Sequence, residues 1–373
     1  NAVTDAPRDT INNVENAFLS LPSNTNYTVR VIGRRVNVNA VTAHTNAIVQ
    51  DYALVVSIDS TNRLELRPQP TNSAAFTTPS PDVLTNGLPR LHDRAGANSP
   101  LLEYPLGTRL QWHFYVFTNA PTPYDWYTNF GTNVAIALHT PLNLSVARNV
   151  EPDIDLYVSR DRRLLDLDQQ VVAAADRSIQ RGGSSETIMY TNAVVDPSEV
   201  FYVGVKSEDQ MAAEYSIVAL STMEPFATID EQGNHWLRGL PVPRPIADGS
   251  PVTPAYAQVY AFDPYPIDVN MVVVSNTLVH ELLGDLLGAL SHNTRGMVLN
   301  NHRSFGDVGG VYSMLYDDSG SGEFPDADTT DGPGSLDDFI AVEGSGSWML
   351  TAVDNALGQT GYVQNLTIRL TPN

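Results

Sequence analysis

There is no cysteine among the 373 residues. That absence excludes disulfides, thiolate metal sites and cysteine nucleophiles together. Lysine is nearly missing too, since Lys206 is the single example and every other basic residue is arginine. Against 21 basic residues stand 42 acidic ones, for a net charge of −21. A surface of that sign repels phosphate backbones and anionic lipid and attracts divalent cations, so no nucleic acid and no membrane is expected as a partner. No apolar run reaches the roughly 18 residues of a transmembrane helix. Helical periodicity is scarce. The best stretch, 162–179, carries Leu164, Leu165, Leu167, Val171 and Val172, but its spacing is short and Gly182-Gly183 follows. The chain opens on Asn1 with no leader-like segment, and it reads as a processed piece of something longer.

Period-2 alternation is what the chain does have. Tyr27-Thr28-Val29-Arg30-Val31 alternates, as do the segments from Leu110 to Val116, Phe201 to Val205 and Trp348 to Val353. Such runs, separated by turns that 25 Gly and 25 Pro supply, predict an all-β chain of serial β-sandwich (jelly-roll) modules. Pro-rich stretches at 67–81 and 241–245 mark linkers. They divide the chain into 1–66, 72–223 and 224–373.

Between 317 and 338 the chain crowds Asp317, Asp318, Glu323, Asp326, Asp328, Asp331, Asp337 and Asp338 with no basic residue among them. Hard oxygen ligands interleaved with Gly and Ser suit Ca²⁺, which takes six to eight oxygens. Asp317, Asp318, Asp326, Asp328 and Asp331 are therefore candidate ligands. The spacing misses an EF-hand by one position, because the third Asp falls at loop position 6 and Gly at 7. The alternative is a solvated acidic loop without an ion.

Three stretches resemble parts of one kind of protein. Val279-His280-Glu281-Leu282-Leu283-Gly284-Asp285-Leu286, then Gly346-Ser347-Trp348-Met349-Leu350-Thr351-Ala352-Val353-Asp354, then the closing apolar strand resemble the P domain (proprotein-convertase, or Homo B, type). In 72–223, Leu84-Thr85-Asn86-Gly87, Pro152-Asp153-Ile154-Asp155-Leu156-Tyr157-Val158, Ser185-Glu186-Thr187-Ile188 and Glu199 through Val205 resemble the bacterial pre-peptidase C-terminal domain. The stretch 121–130 reads as an insertion there. In 1–66, Asn12-Asn13-Val14-Glu15, Tyr27 through Val31 and Gln50-Asp51-Tyr52-Ala53-Leu54-Val55-Val56-Ser57 resemble the closing half of the jelly-roll that follows the catalytic domain in bacterial subtilases. The resemblance implies the C-terminal accessory region of a secreted bacterial subtilisin-like serine protease. It also implies structural calcium, with Asp285 beside the ion, and an extracellular location.

The catalytic motifs of that family do not occur. There is no Asp in a D-T/S-G context, no H-G-T-H and no G-T-S-x-A. Thr42-Ala43-His44 and Asp318-Ser319-Gly320 are fragments of chymotrypsin-like motifs with the wrong flanks, and triads are defined by geometry. His280-Glu281 opens like a zincin helix, yet Gly284 stands where the second His would be. His280 is expected instead to end a strand, buried and hydrogen-bonded. Asp153 and Asp155 are expected at a turn entering a strand, and the sequons at Asn26, Asn143 and Asn365 carry little meaning in a bacterial protein. Trp112, Trp126, Tyr127 and Trp236 are expected in cores or linkers before a binding face. The expectation is a chain with no catalytic residues that stabilises, attaches or presents a protease. Its partner would be whatever supplies the missing half of the first sandwich: a protease fragment, or a neighbouring subunit in an oligomer or filament. A further alternative is a fragment of an active secreted endopeptidase whose catalytic domain lies elsewhere.

Overall fold

The computed structural model describes residues 55–56, 81–95, 112–119, 131–140, 142–143, 148–149, 153–180, 185–193, 198–207, 213–303 and 309–373. Apart from Val55 and Val56, the half-sandwich expected over 1–66, with the Thr42-Ala43-His44 string and the sequon at Asn26, lies outside the described residues, as does the 121–130 insertion with Trp126 and Tyr127. The chain forms two compact units, Asn1–Leu64 and Glu65–Asn373, and every described strand belongs to the second. Among the described residues 57% are strand and 7% helix, so the chain is all-β, as the alternating runs require.

The 72–223 segment supplies β1 (Asp82–Leu84), β2 (Arg90–Ala95), β3 (Trp112–Thr118), β4 (Asn133–His139), β5 (Leu142–Asn143), β6 (Arg148–Asn149) and β7 (Ile154–Ser159), all but β5 and β6 forming the first sandwich. A helix α1 (Gln169–Ala174) follows, then β8 (Asp176–Ser178), β9 (Glu186–Tyr190), β10 (Val200–Ser207) and β11 (Ala213–Thr222). One sheet runs β1-β3-β10-β7-β8 and its partner runs β2-β11-β4-β9. All pairings are antiparallel except β1 on β3. Phe117, Ile136, Leu156, Val203 and Ile217 meet between these sheets.

The second sandwich uses β12 (Ala227–Ile229), β13 (His235–Arg238), β14 (Arg244–Ile246), β15 (Ala255–Asp263), β16 (Val269–His280), β17 (Leu286–His292), β18 (Arg295–Asn301), β19 (Gly310–Tyr316), β20 (Gly346–Asp354) and β21 (Gly361–Pro372). One sheet runs β12-β13-β21-β16-β19, with β14 also on β21. The other runs β15-β20-β17-β18 and continues into β6 and β5. Two short strands of the 72–223 segment thus extend a sheet of the 224–373 segment, through Arg295 opposite Arg148. Val259, Val274, Leu290, Trp348, Leu350 and Ile368 fill this second core.

Alternation explains how the sandwiches join. On β4 the even residues Val134, Ile136 and Leu138 enter the first core, while the odd ones, Ala135 and Ala137, enter a separate cluster. On β11 Ile217 and Ala219 face the first core, and Val218 and Leu220 face that same cluster. Across from them stand Tyr260 and Phe262 of β15, Met349 of β20, and Phe226 and Leu240. Neighbours in sequence point to opposite faces of a strand, so the β4–β11 sheet and the β15–β20 sheet are each covered on both sides. The result is four sheets stacked face to face with three apolar layers between them.

The helical stretch is shorter than its periodicity proposed. A 3-10 turn, Arg162–Asp166, stops at Leu167, whose φ of 52° is left-handed. Asp168 then caps α1 by accepting from the Gln170 and Val171 amides, and 176–178 is strand. This segment packs Leu165, Leu167 and Val172 over Trp112, Phe114 and Tyr157, closing the outer face of the first sheet. Gly204 permits that layer, because a Cβ there would lie 3.0 Å from the Trp112 ring.

Candidate functional site

The acidic loop leaves β19 and returns to the sandwich at a 3-10 turn, Leu336–Phe339. Its side chains are bound up more than their sequence spacing indicated. Asp318 accepts from the Thr330 amide at 2.9 Å, the Thr330 hydroxyl at 2.8 Å, the Ser335 hydroxyl at 2.8 Å and the Leu336 amide at 2.7 Å. Burial pushes its carboxyl up, but these donors outweigh it and hold the group below the usual carboxylate range. Asp317 accepts from the Ser319 amide at 2.9 Å. Asp338 completes a capping box with Ser335.

Arg303, two residues past β18, and Arg369 supply the positive charge that the loop lacks. Arg303 binds Asp331 at 2.8 Å and Asp328 at 3.3 Å, and Arg369 of β21 binds Glu323 at 2.6 Å. Asp331 also accepts from the Asn301 amide at 2.7 Å. Asp326 is exposed in a turn. Asp337 is raised, first by burial and then by the charges of Asp318, Asp317 and Asp338, so negative potential accumulates at that corner.

Asp285 stands with different neighbours. It ends the 3-10 turn Leu283–Asp285, and its carboxyl is raised by burial and then by Asp354. Beside it His280 closes β16 and is buried, with Nδ1 2.8 Å from the Leu282 carbonyl and Nε2 3.3 Å from Asp354 Oδ2. His280 therefore ends a strand, and the zincin-like string is not helical. Asp155 is buried within β7, with Asp153 just before it. Trp112 is core. Trp236 is 40% exposed, and its indole donates to Asp230 at 2.9 Å while Arg369 lies over its ring.

A seryl–histidyl pair does exist, although no motif announced it. Ser347 Oγ lies 3.0 Å from His139 Nε2 and accepts from the Thr187 hydroxyl at 2.6 Å. Ser347 is fully buried and His139 nearly so, at the seam between the sandwiches. Burial, with His292 adding to it, pushes the His139 imidazole down to about 3. Among the described residues no carboxylate is hydrogen-bonded to this histidine, and the hydroxyl is buried away from solvent. His292 belongs to the same seam: its Nδ1 is 3.0 Å from the Ser347 carbonyl, and its ring stacks on Trp348 at 4.2 Å.

Among the described residues, the place where three carboxylate or imidazole ligand atoms lie within 4.8 Å of one another is Asp82, Asp93 and His113 of the first sandwich. It does not lie in the acidic loop. Sequence reasoning missed this cluster because β1, β2 and β3 bring its members together across 31 residues.

No family model matches the chain, and no curated protein matches it. Several solved structures align with the chain, three of them as follows. The Aeromonas sobria serine protease and chaperone complex aligns at 15% identity and a TM-score of 0.23, covering 37% of this chain and 26% of that one. The infectious bursal disease virus Gt strain structure aligns at 9% identity and a TM-score of 0.24, covering 78% and 74%. An Arthrobacter globiformis isomalto-dextranase complexed with panose aligns at 8% identity and a TM-score of 0.18, covering 75% and 40%. At these scores the alignments carry no functional argument.

Proposed function

We propose that this chain is a non-catalytic, extracellular accessory region of a subtilisin-like protease, and that it works by stabilising, attaching or presenting that protease. The observation that supports this reading is the apolar seam. Phe226, Tyr260, Phe262 and Met349 press on Ala135, Ala137 and Leu220, so two sandwiches act as one stacked body suited to carrying load and offering a fixed surface. The buried state of the Ser347–His139 pair points the same way, as does the absence from the sequence of the family's three catalytic motifs.

Structural calcium belongs to the same proposal. The donor set fits in part: Asp318, Asp328 and Asp331 are spent on amides, hydroxyls and arginine, while the negative corner at Asp317 and Asp337 suits a hard cation. Asp285 is the second place for such an ion, beside Asp354.

A serine-directed fluorophosphonate probe and a casein digestion assay on the purified 373-residue chain test the reading. No labelling and no digestion are expected. Labelling of this chain that is lost on heat denaturation overturns the non-catalytic assignment.

A further inference from the structure

We infer that Asp82, Asp93 and His113 form a binding site for one divalent transition-metal ion, with zinc the ion whose ligand chemistry fits. The site lies where β1, β2 and β3 meet, at the edge shared by the two sheets of the first sandwich. It is separate from the acidic loop and from Asp285.

The histidine carries the argument. His113 is 2% exposed. Its Nδ1 lies 3.0 Å from the Arg94 carbonyl oxygen and 3.0 Å from the Tyr115 and Tyr215 hydroxyls, and the carbonyl, which can only accept, favours the tautomer with its proton on Nδ1. Nε2 then presents a lone pair, and what faces it is Asp82 Oδ2 at 3.2 Å, also an acceptor. In that tautomer the two acceptors need a cation or a second ring proton between them. A metal ion satisfies both lone pairs without it.

The dimensions agree. Ligands held at about 2.0–2.2 Å around tetrahedral zinc lie roughly 3.3 Å apart, close to the 3.2 Å between Nε2 and Oδ2. Supporting contacts have the form that metal ligands require. A ligating histidine donates its other N–H to a carbonyl or carboxylate, and ligating carboxylates are themselves hydrogen-bonded. Here Nδ1 meets the Arg94 carbonyl, and Tyr115 donates to Asp93 Oδ2 at 2.9 Å. The Tyr215 hydroxyl backs Tyr115 at 2.7 Å. Three protein ligands leave a fourth position open to water or another small ligand.

Arg90 currently supplies the positive charge. Its Nε lies 2.8 Å from Asp93 Oδ2 and its Nη2 2.8 Å from Asp82 Oδ2. The side chain is 36% exposed, so it can swing into water when an ion enters. Metal and guanidinium compete for the same two carboxylates, and removing the arginine must tighten metal binding.

The test uses the full chain, stripped with chelator and titrated with Co²⁺, whose visible absorption separates a low-coordinate protein site from hydrated ions on the acidic surface. One equivalent should give strong visible bands, and one equivalent of Zn²⁺ should displace them. Asp82→Asn and Asp93→Asn should lose the bands while keeping the wild-type circular dichroism. Arg90→Gln should bind more tightly, and Tyr115→Phe should bind about tenfold more weakly. Absence of strong bands in the wild type, their persistence in both Asp→Asn variants, or weaker binding by Arg90→Gln overturns the proposal.

Discussion

Asp318 and His139 show how single side chains set local stability here, one by staying charged and the other by staying neutral. Asp318 gathers four donors from Thr330, Ser335 and Leu336. Asp318→Ala leaves them without a partner, and hydrogen bonds to a charged group are worth about 1.5–3 kcal/mol each way of counting. We expect a loss of about 2–3 kcal/mol by urea denaturation, larger than for Asp326→Ala, which removes no such contacts. For His139 the sign follows from linkage. Its ordinary value of 6.5 falls to about 3 in the fold, so below pH 6.5 the unfolded chain binds the extra proton first. Its contribution is full above about pH 6.5, shrinks as pH falls, and is exhausted near pH 3. The slope approaches about 1.4 kcal/mol per pH unit. The groups facing this ring are Ser347, Tyr260 and His292, and no carboxylate among them offsets the effect. Denaturation midpoints between pH 7 and pH 4.5 should fall more steeply for the wild type than for His139→Gln, measured under matched salt.

At the scale of elements, the seam decides whether two cores unfold as one. Phe262 sits in it between Phe226, at 5.2 Å, and Tyr260. Phe262→Ala should cost about 3–5 kcal/mol and split thermal unfolding, followed by calorimetry, into two transitions. A single, merely shifted transition would show that the sandwiches are coupled elsewhere, for instance through β5 and β6. Much at this scale was legible in the chain. The described residues of the runs 110–116, 201–205 and 348–353 became β3, β10 and β20, because large apolar residues at every second position leave a strand only one way to bury them. The stack was written less plainly. On β4, Val134, Ile136 and Leu138 alternate with Ala135 and Ala137, which is the mark of a strand buried on both faces with small residues on the closer one. The acidic loop was legible as a charge run but not as a solved network. Arg303 and Arg369 reach it from 28 and 46 residues away, and a spacing argument confined to the loop has no means of finding them. Asp82, Asp93 and His113 were hidden for the same reason, since none stands in a recognisable spacing with another.

For the molecule as a whole, a net charge of −21 acts on every element together. Self-repulsion at low ionic strength opposes the compact state, and salt relieves it as the Debye length falls from about 30 Å at 0.01 M to about 8 Å at 0.15 M. Sodium chloride over that range should therefore raise the melting temperature, and magnesium and calcium at equal ionic strength should act alike if screening is the only effect. A bound structural calcium behaves differently. At a hundred times its dissociation constant a specific ion adds about 2.7 kcal/mol, which for a chain with domains of this size is roughly 5–10 °C. Calcium added to chelator-treated protein in 0.15 M salt should produce that rise, and an equal concentration of magnesium should not, because magnesium demands octahedral geometry and gives up its waters reluctantly. Asp317→Asn combined with Asp337→Asn should abolish the calcium-specific part if the ion sits at the negative corner of the loop, and Asp285→Asn should do so if it sits beside Asp354. Identical curves in calcium and magnesium would mean that Arg303, Arg369 and the amides around Asp318 neutralise the loop without any ion.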